Sequence, residues 1–534
     1  MRTDTHNISN RRKRLLTTFV ASVVMANVMG QSDNEVPRLV VGITIDNLRT
    51  DFLNAFAPLY GSEGFNKLLS SGQVYSNVQY PFVGIDRASA VATIATGTSP
   101  YNHGIIAEEW MDRTTLTKKH CVDDRLFTGV ETSECSSAKN LLVSTIGDEL
   151  KVATGGQSLV YSVAPMRDVA VLSAGHAANW AIWIDSETGK WAGTSYYGET
   201  PSWMRYLQTT SVTSVIEDLT WEPLNNYVGT YNYYLTSVQK TFKHKFNEGD
   251  KRQNIERYKQ SPLVNEEVTK AASVLLSSGN AGLDLVTDYI SLCYYAGNFN
   301  GLPLSETTTE LQDTYARLDK EIEKLLKTID KFVGLDNVLI YLTSTGYENY
   351  REDKSLSQYR IPTGNFSITR CSALLNMYLS AIYGKAQYVE GHFGSQIYLN
   401  HKLIEDKQLQ MSEVLANCED FLFQFDGVSD VYTAHRLTHG AWTPGISSIR
   451  NGYNSKCSGD IMIQPSSGWN LVDEDRRTSK MQRESFFEFP IIFFGHHIES
   501  KTVQVPVTVD CIAPTIAHHI RIRAPNACNS APLF

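Results

Sequence analysis

Histidines and carboxylates are the side chains of this 534-residue chain that could hold a metal ion or move a proton. His435 and His439 stand four apart, so a helix would put both rings on one face. No carboxylate sits at a fixed spacing to complete a metal site around them, and the pair reads as structural. His496-His497 and His518-His519 are adjacent, and on a strand such side chains diverge, which again reads as structural. The eight cysteines (121, 135, 293, 371, 418, 457, 511 and 528) form no CxxC, which argues against zinc held by sulfur. Their even number permits pairing after export, with Cys121–Cys135 and Cys511–Cys528 the expected local pairs. No Ser/His/Asp or Cys/His arrangement recommends itself for nucleophilic catalysis. The carboxylate of most interest is Asp46, because of where it lies.

Residues 38–45 are a continuous apolar run ending at Asp46, the pattern of a strand buried on both faces of a parallel sheet. Ligands of such sheets collect beyond the carboxyl ends of the strands, which is Asp46's position. Runs at 337–343 and 489–495 have the same character. Between them, Leu311, Tyr315, Leu318, Ile322, Leu325 and Ile329 recur at helical spacing. Strands alternating with helices define an α/β fold. Residues about 185–280 break the alternation and are expected to cap the carboxyl edge of the sheet; the charged patch from Lys240 to Lys259 reads as solvated surface. The aromatics of the cap region (Trp180, Trp183, Trp191, Tyr196, Tyr197, Trp203, Tyr227, Tyr231, Tyr233 and Tyr234) are either a contact surface or packing against the sheet. A second insertion, about 360–440, shows strand (396–399), helix (411–423) and strand (428–433).

The first 30 residues form a basic stretch, Arg11-Arg12-Lys13-Arg14, then an apolar segment from Leu15 to Ala26, then small residues near Gly30. That is the pattern of a signal peptide, the other reading being an uncleaved anchor. No cysteine follows to carry a lipid. Removing residues 1–30 takes five Lys/Arg and one Asp, moving the formal charge from −9 to −13. Such an acidic exported protein is poorly suited to nucleic acid or anionic lipid. No other stretch approaches the roughly 20 apolar residues of a membrane helix.

The strand ending Ile43-Thr44-Ile45-Asp46 is followed by a series of segments: Thr96-Gly97-Thr98-Ser99-Pro100 through His103-Gly104, Lys139 to Leu150, Ala174-Gly175-His176, Asp313-Thr314-Tyr315, Gln396 to Asn400, Arg450 to Asn454 and Ile512 to Ala517. In this order the chain resembles the alkaline phosphatase superfamily, in particular exported phosphatases with a threonine nucleophile, allied to type I phosphodiesterases and nucleotide pyrophosphatases. The resemblance implies an alkaline phosphatase-like sandwich over residues 31–534, a mostly parallel central sheet with helices on both faces. His103 and His176 then fall in structural segments.

The resemblance also implies chemistry that the residues do not reproduce. The family uses two zinc ions about 4 Å apart, one activating the nucleophile and one stabilising the leaving oxygen. Of the ligand positions only Asp46 is retained; the nucleophile position falls on Arg87 beside Asp86, the Asp-x-x-x-His on Asn298 and Leu302, the Asp-His pair on Thr345 and Gly346, and the late His on Glu488. The phosphoryl-contacting Asn matches Glu108, and the clamping Lys and Arg match Met166 and Asp168. Asp86 as an acyl-phosphate nucleophile lacks a cationic clamp. With the ancestral zinc pair expected lost, Arg87 is expected to pair with Asp46 or Glu488, offsetting a buried charge.

The leading expectation is therefore a catalytically inactive protein of the cell envelope without cofactor, acting by protein or ligand binding, as a subunit of an envelope assembly or with other protein partners, at the periplasm or cell surface. Two alternatives stand beside it. One is a metal-dependent phosphatase or phosphodiesterase with relocated ligands, which would need at least three converging His/Asp/Glu side chains at the carboxyl edge of the sheet. The other is a carbohydrate-binding protein that uses the aromatic cap.

Overall fold

The computed structural model describes residues 36–209, 216–224, 241–302, 306–347, 364–441, 443–466, 468–475, 478–480 and 488–534. The leader and Tyr227, Tyr231, Tyr233 and Tyr234 lie outside these residues. Eleven strands form the central sheet: β1 (Leu39–Asp46), β2 (Gln73–Gln79), β3 (Gly129–Val130), β4 (Val160–Val163), β5 (Trp180–Ile184), β6 (Trp191–Thr194), β7 (Asp288–Tyr295), β8 (Val338–Ser344), β9 (Phe489–Gly495), β10 (Lys501–Val503) and β11 (Val507–Thr508). Their order is β10-β2-β9-β8-β1-β7-β4-β5-β6-β3, with β11 also on β2. The five strands from β8 through β5 run parallel. Every residue of β1 is buried, because both sheet faces are covered.

Alternation along β1 divides the core in two. Val41, Ile43 and Ile45 face a cluster that includes α3 (Leu263–Ser278) and α4 (Thr308–Phe332). All six apolar positions expected at helical spacing on α4 are buried. Val40 faces the other cluster, under α1 (Arg87–Thr96) and α2 (Arg167–Ala174). Gly42 is needed on that face: a Cβ there would lie 2.3 Å from the Tyr341 hydroxyl, which meets the Tyr289 hydroxyl at 2.8 Å.

The register puts Asp46 opposite Tyr295 and Ile45 opposite Ser344, so β1, β7 and β8 end together. Residues 364–480 build a smaller lobe with its own core, including Leu375, Leu379, Ile397, Val414 and Ile463. Its four-stranded sheet runs Val389–Phe393, Gln396–Leu399, Ile461–Pro465, Val428–Thr433 in spatial order. Among the described residues no helix is long and apolar enough to cross a membrane.

The structure departs from two expectations. Neither expected pair, Cys121–Cys135 or Cys511–Cys528, forms a disulfide. The bridge between Asp123 and Ser136 puts Cys135 beside Asp124, whose N–H donates to its carbonyl, while Cys121 lies three residues further back and is buried. Cys528 Sγ donates instead to the Ser530 carbonyl. His496 and His497 follow β9 in a turn rather than lying on a strand, and their rings meet at 4.1 Å.

Candidate active site

Beyond the ends of β1, β7 and β8, the positions matched to the family's metal ligands are tied into the local fold. Asp46 accepts a hydrogen bond from the Thr345 hydroxyl, and Gly346, at φ 82°, turns the chain after it. The Asn298 side chain donates to the Leu302 carbonyl at 3.2 Å and accepts from the Tyr347 hydroxyl at 3.4 Å. Glu488 is exposed, its carbonyl taking the Thr50 N–H. The Asn298 carboxamide and the Thr345 hydroxyl are engaged in these hydrogen bonds, and Gly346 offers no side chain.

Charged groups converge instead in a cleft of about 510 Å³ between the ends of β4 and β5 and the helix Lys251–Lys259 of the cap. Arg87 opens α1 immediately after its N-cap, Asp86. Its Nε and Nη2 donate to the two oxygens of Asp168, each at 3.0 Å, and Nη2 lies 3.2 Å from Glu108 Oε1. The expected partners, Asp46 and Glu488, are thus replaced by Asp168 and Glu108, because α1 and α2 pack side by side and present their first turns together. Asp46 acts through its field: burial alone would lower the Arg87 pKa, but Asp168, Glu108 and Asp46 override it and hold the guanidinium charged. These carboxylates therefore face a cation, which relieves the repulsion of phosphate expected from acidic residues at these positions.

His120 completes the cluster, its Nε2 3.8 Å from Glu108 Oε1. It arrives by hairpin register, Glu109 pairing with His120 across strands Glu109–Asp112 and Thr117–His120. Glu108, His120 and Asp168 each offer one ligand atom, all within 4.8 Å of one another. Sequence reasoning missed His120; the alternation Glu-Trp-Met-Asp, a turn, then Thr-Lys-Lys-His was the available signal. Asp86 is committed elsewhere, accepting from Ala88 N–H at 2.9 Å and Glu108 N–H at 2.7 Å. Burial pushes the Cys121 thiol well up, reinforced by Asp168, Glu108 and Asp86, so it is no nucleophile. Met166 is the N-cap residue of α2 and lines the cleft without a side-chain cap. Lys259, expected on a solvated surface, is buried, donates to Ser186 Oγ at 2.6 Å and lines the same cleft.

Other candidates stay apart. His435 and His439 stack on a short exposed helix, ring centroids 4.9 Å apart. His103 is buried between Thr93 Oγ1 and the Ile105 N–H, and burial lowers its pKa to about 3. Trp180, Trp183, Trp191 and Trp203 are buried, so these aromatics pack the fold and do not form a saccharide-binding surface.

A helix-flanked, largely parallel sheet carrying a charged cleft at its carboxyl edge is an α/β architecture whose ligands collect at that edge. The chain belongs to the type I phosphodiesterase / nucleotide pyrophosphatase family, whose model matches residues 40–487. It is 26% identical over 541 residues to "Alkaline phosphatase PafA" of Elizabethkingia meningoseptica, covering 98% of each chain. It is 29% identical over 528 residues to a protein of Myroides odoratus named "Calcium-transporting ATPase", covering 95% of this chain and 96% of that one. The crystal structure of wild-type alkaline phosphatase PafA superposes with a TM-score of 0.81 at 25% identity, covering 93% of this chain and 98% of that one.

These findings correct the leading expectation. An inactive binding protein without metal is overturned by nearly full-length relatedness to a named alkaline phosphatase, by its fold, and by candidate metal ligands among the described residues. The three converging side chains required of a metal-dependent enzyme with relocated ligands are present at the carboxyl edge.

Proposed function

We propose that this protein is an exported, metal-dependent hydrolase of phosphate esters whose metal ligands have moved from the family's positions to Glu108, His120 and Asp168. The observation that carries the reading is the convergence of these three donors with Arg87 in one cleft beyond β4 and β5. A divalent ion held there supplies charge stabilisation for the phosphoryl group and activation of water. Arg87, its fork committed to Asp168 and Glu108, contributes a positive charge beside the three donors, kept there by its carboxylate neighbours. The N-terminus of α2 has no side-chain acceptor at Met166, so its first-turn amides favour an anion. The basic, apolar leader supports export.

The test is hydrolysis of p-nitrophenyl phosphate and its bis ester by the purified full chain, before and after chelation and with zinc, manganese or magnesium restored. Turnover above a mock preparation that chelation abolishes and a metal restores is the expected result. Absence of turnover with every metal on both esters overturns the reading.

A further inference from the structure

The smaller lobe carries a second cluster of donors, far in sequence from the cleft. His392 leaves the strand Val389–Phe393, Asp473 ends the strand Trp469–Asp473, and Asp475 follows it. His392 Nε2 lies 3.5 Å from Asp473 Oδ1 and 3.6 Å from Asp475 Oδ2, and one ligand atom from each residue lies within 4.8 Å of the others. The Thr369 hydroxyl, in the first turn of the helix Ile368–Tyr383, has matching spacing: 3.4 Å from His392 Nε2 and 3.5 Å from Asp473 Oδ1. The Glu474 N–H donates to this hydroxyl at 3.2 Å and fixes it in place.

These distances are longer than a close hydrogen bond and match the edges of a tetrahedral metal site. A hydrogen-bonded imidazole and carboxylate meet at about 2.7–3.2 Å. The same lobe shows one, His401 Nε2 to Asp460 Oδ1 at 2.8 Å. Zinc bound by nitrogen and oxygen at about 2.0–2.2 Å has tetrahedral edges of about 3.3–3.6 Å. The three separations from His392 Nε2, to Asp473, Asp475 and Thr369, and the separation of Thr369 from Asp473 fall in that range. An imidazole and two carboxylates are also a donor set of the kind that holds zinc. His392 and Asp473 are largely buried and Asp475 is exposed, giving two fixed ligands and one on the rim.

We propose that His392, Asp473 and Asp475 form a zinc site separate from the catalytic cleft, with Thr369 at or beside the fourth corner, positioned to hold a water ligand. It fastens three segments of the smaller lobe: the strand of its four-stranded sheet, the strand Trp469–Asp473 and the start of the helix Ile368–Tyr383.

The test uses the full chain carrying His120→Ala, so that the cleft cannot contribute, and measures bound zinc by elemental analysis and cobalt substitution by visible absorption. One zinc per chain is expected, with a tetrahedral cobalt band, and His392→Gln added to this background is expected to remove both. Loss of affinity should exceed the roughly 10–100-fold that an outer-shell change costs. Asp475→Asn, at an exposed position that a folding defect would spare, is expected to weaken zinc in the same assay. Zinc content and cobalt spectrum unchanged by His392→Gln and Asp475→Asn, or no zinc bound in the His120→Ala chain, overturn the proposal. Phosphoester hydrolysis by the chain carrying His392→Gln alone is expected to match the unmodified chain, which separates this outcome from that of the cleft.

Discussion

Arg87 and Asp168 meet through two parallel hydrogen bonds of 3.0 Å, joining the first turns of two helices that are 81 residues apart in the chain. Asp168 is 1% exposed, so removing its partner leaves a buried carboxylate uncompensated. Arg87→Ala is therefore expected to cost about 3–5 kcal/mol of stability. Arg87→Ala combined with Asp168→Ala should recover much of that loss, because no buried charge remains. Denaturant unfolding of the parent and the two variants checks it. A double variant no more stable than Arg87→Ala would mean that the pair is not the unit that matters.

His120 reaches the cleft on a hairpin and is not part of the α1–α2 contact, so it can be altered without disturbing the Arg87–Asp168 pair. His120→Ala is expected to lower metal-stimulated hydrolysis by more than about 100-fold, exceeding the usual effect of an outer-shell change. The thermal midpoint without added metal should stay close to that of the parent. Excess metal should partly restore the rate in His120→Asn and not in His120→Ala. An unchanged rate in His120→Ala would remove this histidine from the ligand set.

Periodicity made much of the frame legible. The unbroken apolar run before Asp46 specifies a strand covered on both faces, and Leu311 to Ile329 specify one face of a long helix. Glu108, Met166 and Asp168 were singled out by their match to the family's phosphoryl-contacting positions, and all three line the cleft. Their partnerships were not legible, since the bond from Arg87 to Asp168 depends on how two helices cross, and a one-dimensional pattern does not encode that. The same holds for His120, whose place beside Glu108 follows from a hairpin register, and for Cys135, which that part of the chain sets opposite Asp124. Whether Trp180, Trp183 and Trp191 formed a surface or packed the fold was left open by the sequence for a different reason: strands β5 and β6 are covered on both sides, so all three are buried.

Asp288 gives the fold a pH dependence of known sign. Burial raises its pKa from 3.8 to about 6, against hydrogen bonds from the Leu159 N–H at 2.6 Å and the Gly282 N–H at 2.7 Å. A folded-state value above the unfolded one means that the native state binds the proton more tightly. This contribution to stability is fully present below about pH 4 and is lost as pH rises through 6, a change of up to about 3 kcal/mol. Asp288→Asn cannot titrate, so the stability difference between wild type and variant should shift against the wild type from pH 4 to pH 7. Urea unfolding at several pH values measures that difference; a flat profile would refute the assignment.

Asp313 fastens the cap to the sheet's helical layer. Fully buried on α4, it accepts from the Trp221 indole N–H at 2.6 Å, the Leu224 N–H at 2.7 Å and Arg317 Nε at 2.6 Å. Arg317 also reaches the Glu222 carbonyl at 3.0 Å, so the one carboxylate organises the segment 221–224 from both sides. Asp313→Ala leaves an indole N–H, a backbone N–H and a guanidinium to find other partners, and is expected to destabilise by about 3–5 kcal/mol. Asp313→Asn keeps one acceptor oxygen and should cost less. Trp221 is buried against Phe242 and Phe299, so loosening of this segment should move tryptophan emission to the red and open the cap to proteolysis before global unfolding. If Asp313→Ala lowers the unfolding midpoint while emission and proteolytic sensitivity under native conditions stay unchanged, Asp313 stabilises α4 alone and the cap is held by its apolar packing.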